Sequence, residues 1–166
     1  MRTGIALGSN LGDRLANLVA GREAVLSIPG VREPVLISQV YETEPVGTGP
    51  DAGSFLNAVI EVESSADPST LLAALRSIES SLGRPTRRPR NAPRTLDLDI
   101  LYISELVLQD DTLILPHPRL HLRRFVLAPL NDIRPDLRLP GQTHTVAELL
   151  ALLDDPAAVS IFTSTW

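Results

Sequence analysis

Cysteine and lysine are missing from the sequence, and each absence excludes a class of chemistry. Without cysteine the chain has no thiol nucleophile and no thiolate ligand for zinc. All 15 basic residues are arginine, so a lysine Schiff base and the lysine of a phosphate-binding P-loop are excluded as well. A biased genome is the main explanation for a lysine-free composition. Any phosphate bound by this chain must nevertheless be neutralised by arginine or by a metal ion.

Long apolar runs and aromatic residues are also scarce. The chain has no run of about 18 apolar residues, so we expect no membrane span. Its N-terminal segment MRTGIALGSNLGD does not resemble a signal peptide, and we expect a cytoplasmic protein. A net charge of −5 and an aromatic content of 4% disfavour an RNA-binding module, which needs a basic surface and aromatic residues on its strands. We expect no nucleic-acid partner.

Hydrophobic patterning over the 166 residues predicts one α+β domain spanning residues 1–166. Asn10 and Asp13 can cap the first helix, and Asp67 can cap the second. The predicted order is β-α-β-β-α-β, which is that of the split βαβ motif of ferredoxin-like folds. Its strands are expected at 2–8, 35–43, 55–63 and 95–103. Beyond this core we expect a hairpin at 106–108 and 112–115, short helices through 132, and a helix at 145–154; the tail after 155 has no assigned element.

Asp97 and Asp99 are the residues that best indicate a metal site. Two positions apart on a strand, they share one face at a separation of about 6.6 Å. Such a pair suits one or two hard cations, and Mg²⁺ is commonly bound by one or two carboxylates together with substrate phosphates. Leu96, Leu98, Ile100 and Tyr102 should form the opposite face, while Leu101 and Ile103 should continue the face of the aspartates. An arginine-rich segment precedes the pair, with Arg84, Arg87, Arg88, Arg90 and Arg94.

Other interpretations of these residues stay open at this point. The aspartates could pair with the nearby arginines or lie on a solvated sheet edge, and a run of arginines is usually a solvated loop. His117, between two prolines, is either a surface turn residue or a phosphate donor. Phe55 and Phe125 are more often core residues than ligand platforms. Asn57 stands in a hydrophobic strand, where an unpaired amide is costly, and it suits recognition of a heterocycle edge.

Several blocks together resemble the 6-hydroxymethyl-7,8-dihydropterin pyrophosphokinase family. The resemblance runs from residue 5 to about 140 and rests on these blocks in order: ALGSNLGDR (6–14), Y-x-T-x-P (41–45), FLNAV (55–59), IExxLGR (78–84), APRTLDLDIL (92–101) and PHPRLHLRRFVLAPL (116–130). It implies an α/β/α sandwich on a ferredoxin-like core. It also implies transfer of the β,γ-diphosphate of ATP to the pterin 6-hydroxymethyl oxygen, releasing AMP, in tetrahydrofolate biosynthesis.

The resemblance also implies a role for individual residues. Asp97 and Asp99 would bind two Mg²⁺ ions, and Arg84 and Arg94 would engage the phosphates. The pterin pocket would comprise Thr43, Pro45, Val46, Phe55 and Asn57, with Phe125 stacking on the ring. The residues around ATP would be Glu79, Ile100, His117, Pro118 and Arg123. We expect a monomer with ATP and the hydroxymethyl pterin as its partners.

Some positions depart from the common family pattern. Asn91 and Ala92 stand where many members have Trp-Gly, and Arg124 stands where glycine is frequent. A second loop arginine of the family aligns near Thr86, and Arg87 or Arg88 could replace it. The alternative function is that of another Mg²⁺-dependent nucleotidyl or phosphoryl transferase on a similar fold.

Overall fold

An antiparallel sheet with helices on both of its faces forms the core of the computed structural model, which describes residues 1–44, 53–83 and 94–166. The strands are β1 (Arg2–Ser9), β2 (Val31–Ile37), β3 (Val40–Thr43), β4 (Phe55–Ser64), β5 (Asp97–Ile103), β6 (Leu108–Gln109), β7 (Ile114–Leu115) and β8 (Val159–Thr163). The helices are α1 (Arg14–Leu26), α2 (Pro68–Ser81), α3 (Arg124–Ile133) and α4 (Val146–Leu152), with a 3-10 turn at Leu120–Leu122. None of the helices in these described ranges has the length and hydropathy needed to cross a membrane.

The order of strands in the main sheet places the carboxylate-bearing strand at an edge. That order is β5-β1-β4-β3-β8, with β2 also paired to β4, while β6 and β7 form a separate two-stranded ribbon. β1 pairs antiparallel with both β4 and β5, so residues of these three strands align in rows across the sheet. Side chains in one row share a face.

Two hydrophobic clusters lie on opposite faces of the sheet. One contains Leu18 and Val25 of α1 and Leu71 and Leu75 of α2. The other contains residues of α3 and α4, with Leu127 and Val146 fully buried. The sheet is therefore covered by helices on each side, as burial of two apolar faces requires.

The helix caps correct one expectation. Asp13 caps α1, because its carboxylate accepts from the Ala16 backbone N–H at 3.1 Å. Asn10 does not cap it; its side-chain oxygen accepts from the Arg94 N–H at 2.7 Å instead. Asp67 caps α2 as predicted.

The strand predicted at 35–43 is two strands, with the break at Ser38–Gln39. The Ser38 hydroxyl accepts from the Val59 N–H at 2.9 Å, and the Gln39 N–H donates to a carboxylate oxygen of Asp132 at 3.1 Å. These side-chain bonds replace ladder bonds and interrupt the strand. The tail, for which no element was predicted, forms β8 against β3.

The predicted alternation along β5 fails at Leu101. Ile5 pairs with Ile100 and Gly4 with Tyr102, so Leu101 is an extra residue in a β-bulge. Leu101 and Tyr102 both join the α3/α4 cluster, while Ile103 joins the α1/α2 cluster. The predicted faces of Tyr102 and Ile103 were therefore wrong, because the bulge inverts the alternation beyond it.

Candidate active site

Asp97 and Asp99 lie at the start of β5, opposite two small residues of β1. Asp97 pairs with Gly8 and Asp99 with Ala6. Gly8 pairs in turn with Asn57 of β4. The sheet register thus brings a carboxylate and an amide into one row, separated only by a residue without a side chain.

Gly8 leaves room for this close approach, because a side chain here would crowd Asn57. A Cβ atom at this position would lie 3.3 Å from the side-chain oxygen of Asn57 and 3.9 Å from the Asp97 Cβ. The Asn57 amide nitrogen donates to the Thr43 hydroxyl at 2.9 Å, and both residues are buried. This bond fixes the amide, so its oxygen is directed over Gly8.

The two carboxylates differ in their electrostatic surroundings. Arg94 Nη1 donates to Asp97 Oδ2 at 2.6 Å, so the pairing with arginine considered from the sequence does occur at Asp97. Burial and the negative charge of Asp97 raise the pKa of Asp99, against the opposing influence of His117, Arg123 and Arg94. A further cation beside the pair would offset both of the raising effects.

The donor set suits a metal ion that substrate oxygens also bind. Within the described part of the chain, no group of three or more histidine, aspartate or glutamate side chains could hold a metal ion. Two carboxylates are an incomplete ligand set for Mg²⁺, which commonly takes its remaining ligands from water and phosphate. The residues present therefore fit a divalent ion bound jointly with a phosphorylated substrate.

His117 is held beside Asp99 by its own backbone and by its ring. Its N–H donates to the Leu101 carbonyl at 2.8 Å, and its Nδ1 accepts from the Arg119 N–H at 3.2 Å. Burial lowers the pKa of His117, with nearby Arg123 and Arg119 acting in the same direction and Asp99 opposing them. In the neutral ring the proton is then on Nε2, which is free to serve as a hydrogen-bond donor to an anion.

Arg123 and Phe125 lie on the α3 side of the site. The Arg123 guanidinium carbon is 5.4 Å from the centroid of the Phe125 ring, a cation–π distance. Burial and the neighbouring Arg119 lower the pKa of Arg123, while Asp99 and Asp97 raise it. The start of α3 therefore supplies both a positive charge and an aromatic face.

Two cavities meet at the aspartates. A larger one of about 360 Å³ is lined by Glu79, Ile100 and Pro118, and also by Arg76 and the hairpin residues 110–114. A smaller one of about 40 Å³ is lined by Asn57, Arg123 and Phe125. Asp97, Asp99 and His117 line both cavities.

This arrangement brings most of the predicted residues together, but one of them lines a different cavity from the one that its predicted role implies. Arg123, predicted to lie around ATP, lines the smaller cavity next to Asn57 and Phe125. Thr43 and Phe55 stand opposite each other where β3 and β4 meet, behind Asn57. At about 40 Å³ the smaller cavity is far smaller than the one lined by Glu79 and Ile100.

Glu79 has a structural contact that its predicted role did not include. Its Oε1 accepts from the Leu98 backbone N–H at 2.8 Å, and the side chain is buried between α2 and β5. This bond fixes the strand that carries both aspartates. A charge-assisted bond to a backbone amide is stronger than a neutral one.

Sequence reasoning missed three contributors to the site. Gly8 and Ala6 provide space beside the aspartates. Asn10 makes two hydrogen bonds to Arg94: its side-chain oxygen accepts from the Arg94 N–H, and its own N–H donates to the Arg94 carbonyl at 3.1 Å. All three belong to the block ALGSN, which was recognised as a motif. Their roles depend on pairing between distant segments, which the motif by itself does not reveal.

Several predicted residues lie outside the described ranges. These are Pro45 and Val46 of the predicted pterin pocket, the predicted catalytic Arg84, and the departures considered at Thr86, Arg87, Arg88, Asn91 and Ala92.

Comparison with known proteins identifies relatives of the chain. The family model described as 7,8-dihydro-6-hydroxymethylpterin-pyrophosphokinase (HPPK) matches residues 4–135. Proteins named 2-amino-4-hydroxy-6-hydroxymethyldihydropteridine pyrophosphokinase are similar to the chain. The one from Methylorubrum extorquens is 41% identical over 92% of this chain and 94% of its own length. The one from Pseudomonas aeruginosa is 42% identical over 90% of each chain.

Solved structures with a similar fold are also found. The Plasmodium falciparum HPPK-DHPS protein with pteroate matches 90% of this chain and 42% of its own length, with a TM-score of 0.69 and 14% identity. At that identity the likeness shows the fold alone. The family match and the identity to the bacterial relatives go further: the chain belongs to the 6-hydroxymethyl-7,8-dihydropterin pyrophosphokinase family.

Proposed function

We propose that the protein transfers the β,γ-diphosphate of ATP to the 6-hydroxymethyl oxygen of 7,8-dihydropterin and releases AMP, a step of tetrahydrofolate biosynthesis. The observation that carries this proposal is the position of Asp97 and Asp99 where two cavities meet. A group transferred between two substrates must pass such a junction. The family membership supports the same reaction.

In this proposal Asp97 and Asp99 hold two Mg²⁺ ions together with phosphate oxygens. Divalent ions bound there would neutralise the phosphates and lower the pKa of the pterin hydroxyl. The raised pKa of Asp99 supports the assignment, because burial and the neighbouring Asp97 both disfavour its charged form and a bound cation would offset them. Glu79 and Asn10 keep the pair in place through the backbone of Leu98 and Arg94.

The larger cavity is proposed to bind ATP. Ile100 and Pro118 provide apolar contact for the nucleotide, and Glu79 lies at its inner wall. His117 would donate from Nε2 to a phosphate oxygen. The positive charges of Arg94, Arg84 and Arg123 would stabilise the negative charge that develops on the phosphate oxygens as the bond from the β-phosphorus to the α,β-bridging oxygen breaks.

The smaller cavity marks the proposed pterin side. Asn57 offers an amide oxygen and Thr43 a hydroxyl for the edge of the ring, and Phe125 offers an aromatic face for stacking. Phe55, Pro45 and Val46 would complete this pocket. The pterin oxygen would attack the β-phosphorus in line with the departing AMP, so positioning does most of the catalytic work.

Some broader predictions belong with this proposal. We propose that the core is ferredoxin-like, since β5 and β4 flank β1 and the divided second strand lies beyond β4. Organisation as a single catalytic domain, a monomeric state and a cytoplasmic location stay predictions from the sequence.

The test is product analysis with purified protein, ATP, Mg²⁺ and 6-hydroxymethyl-7,8-dihydropterin. AMP and the pterin diphosphate are expected as products. ADP would indicate single phosphoryl transfer, and free diphosphate with a nucleotidylated pterin would indicate the alternative transferase; either product refutes the proposal.

A pair of matched variants tests the metal site. Asp99→Asn should reduce turnover by roughly 100-fold or more, as loss of one electrostatic contact to developing charge does in other enzymes. It should also weaken Mg²⁺-dependent binding of a non-hydrolysable ATP analogue. Asp136→Asn, an exposed aspartate after α3, is the control and should change neither measurement. Full activity of Asp99→Asn would remove Asp99 from the metal site.

A further inference from the structure

Arg14 stands at the end of the block ALGSNLGDR, and the reaction as described gives it no role. It is the first residue of α1. A positive charge there opposes the helix dipole, which favours acidic residues in the first turn. The Arg14 side chain therefore needs favourable interactions elsewhere to offset its unfavourable interaction with the helix dipole.

The Arg14 guanidinium joins the end of β3 to the start of β4. Its Nη1 donates to Glu42 Oε1 at 2.8 Å, to the Ser54 carbonyl at 2.8 Å and to the Ser54 hydroxyl oxygen at 2.6 Å. The Ser54 hydroxyl donates to the same Glu42 oxygen at 2.6 Å. We name Arg14, Glu42 and Ser54 the Arg14 cluster.

The residues that follow the cluster are those assigned to the pterin pocket. Thr43 follows Glu42 and Phe55 follows Ser54, and these two form a register pair between β3 and β4. Because side chains alternate along a strand, Glu42 faces the α1 side while Thr43 faces the site. Arg14 is thus placed to act on the pocket through the backbone, without touching a substrate.

An aromatic contact and partial burial add to the hydrogen bonds of the cluster. The Phe162 ring of β8 lies 5.9 Å from the Arg14 guanidinium carbon. Hydrogen bonds from Ser54 and Arg14 lower the pKa of Glu42 and so favour its charged form. With side chains of Arg14 and Glu42 only 26% and 35% exposed, the pair is partly shielded from solvent.

We propose that Arg14 is a positioning residue for pterin binding: it holds Thr43 and Phe55 opposite each other by bonding Glu42 and the Ser54 backbone. The inference rests on the proposed function, since Thr43 and Phe55 serve the pterin in that proposal. In that proposal Thr43 and Phe55 contact the pterin and not the transferred phosphates, so a shift of these two residues would weaken pterin binding. Loss of a remote positioning contact should therefore produce a clear defect in pterin use.

The experiment measures kcat, the KM for pterin and the KM for ATP in Arg14→Met. The KM for pterin should rise by about tenfold while kcat and the KM for ATP change by less than about twofold, because the contact supports binding of one substrate only. Direct pterin binding in the presence of a non-hydrolysable ATP analogue should weaken by the same factor.

Arg22→Met is the matched control. Arg22 lies on the same helix and also contacts an aromatic ring, that of Trp166 at 4.8 Å, but it does not touch the Arg14 cluster. Its substitution should lower thermal stability to a similar extent without altering the KM for pterin. An equal rise in the KM for pterin in both variants would show a general effect on α1 and would overturn the proposal.

A charge exchange completes the test. Arg14→Glu and Glu42→Arg should each raise the KM for pterin, and the double variant should recover at least part of the loss. An unchanged KM for pterin in Arg14→Met would by itself overturn the positioning role. Failure of the proposed function is distinct, because the unsubstituted protein would then release no AMP.

Discussion

Replacement of Gly4 by alanine tests how closely β1 approaches Tyr102. A Cβ atom at Gly4 would lie 2.6 Å from Cζ of the Tyr102 ring, well inside contact distance. The ring cannot easily move away, because Tyr102 is 2% exposed and its hydroxyl donates to Glu61 Oε2 at 2.5 Å. The bulge at Leu101 places the ring over this glycine.

The size of the effect follows from three contributions. Alanine in place of glycine in a strand normally stabilises by about 0.5–1 kcal/mol. Overpacking costs about 1–3 kcal/mol, and loss of the buried hydroxyl bond to Glu61 costs a further 1–3 kcal/mol or so. We expect net destabilisation of about 2–4 kcal/mol, which for a chain of this size lowers Tm by roughly 5–15 °C.

Denaturant unfolding and calorimetry measure the effect, with Tyr102→Leu as the second arm of a double-mutant cycle. In the leucine background the flat ring is gone, so Gly4→Ala should cost at least about 1 kcal/mol less than in the unsubstituted protein. Equal costs in both backgrounds, or a Gly4→Ala protein as stable as the original, would refute the packing argument.

Three further results are expected. Glu61→Gln should lose about 1–3 kcal/mol of unfolding free energy at pH 7. Burial raises the pKa of Glu61, but hydrogen bonds from Arg134 and Tyr102 outweigh burial and hold the pKa below its ordinary value. The stability that charged Glu61 contributes is therefore present above about pH 4.3, and the difference in unfolding free energy between the unsubstituted protein and Glu61→Gln should narrow as the pH falls below that. Gly8→Ala should raise the KM for pterin by displacing the Asn57 amide, and an unchanged KM would contradict the assignment of that amide. Asn10→Ala removes the acceptor of the Arg94 N–H, so kcat should fall while Tm changes little, and a large loss of Tm with normal kcat would show a purely structural role.

Elements with strong local signals could be predicted from the sequence. Asp67 predicted the start of the second helix, and it caps α2, which spans Pro68–Ser81. The run from residue 95 predicted β5, and the two-residue spacing of its aspartates predicted their common face. Such signals lie within one segment and need no knowledge of its neighbours.

The rest depends on contacts between distant segments. The bulge at Leu101 exists only in register with β1, and β8 becomes a strand because the edge of β3 is available to pair with it. The break at Ser38 depends on bonds to Val59 and to a residue of α3. None of these partners can be read from local periodicity.

The same distinction holds for the site. The aspartates, His117 and Asn57 were found because their residue types are unusual in their local setting. The link between Asn10 and Arg94 was missed because asparagine before a helix is ordinarily explained as a cap, and the Arg14 cluster was missed because Glu42 and Ser54 are distant from Arg14 in the sequence.

The bond from Glu79 to the Leu98 amide has a consequence for association between molecules. β5 is an edge strand, and edge strands expose amides and carbonyls to which a foreign chain can add. Here one outward amide is taken by a carboxylate, and the outward Leu101 carbonyl is taken by the His117 N–H. Glu79 and His117, which line the proposed ATP cavity, thereby also cap this border of the sheet, so intermolecular strand addition is obstructed beside Asp97 and Asp99.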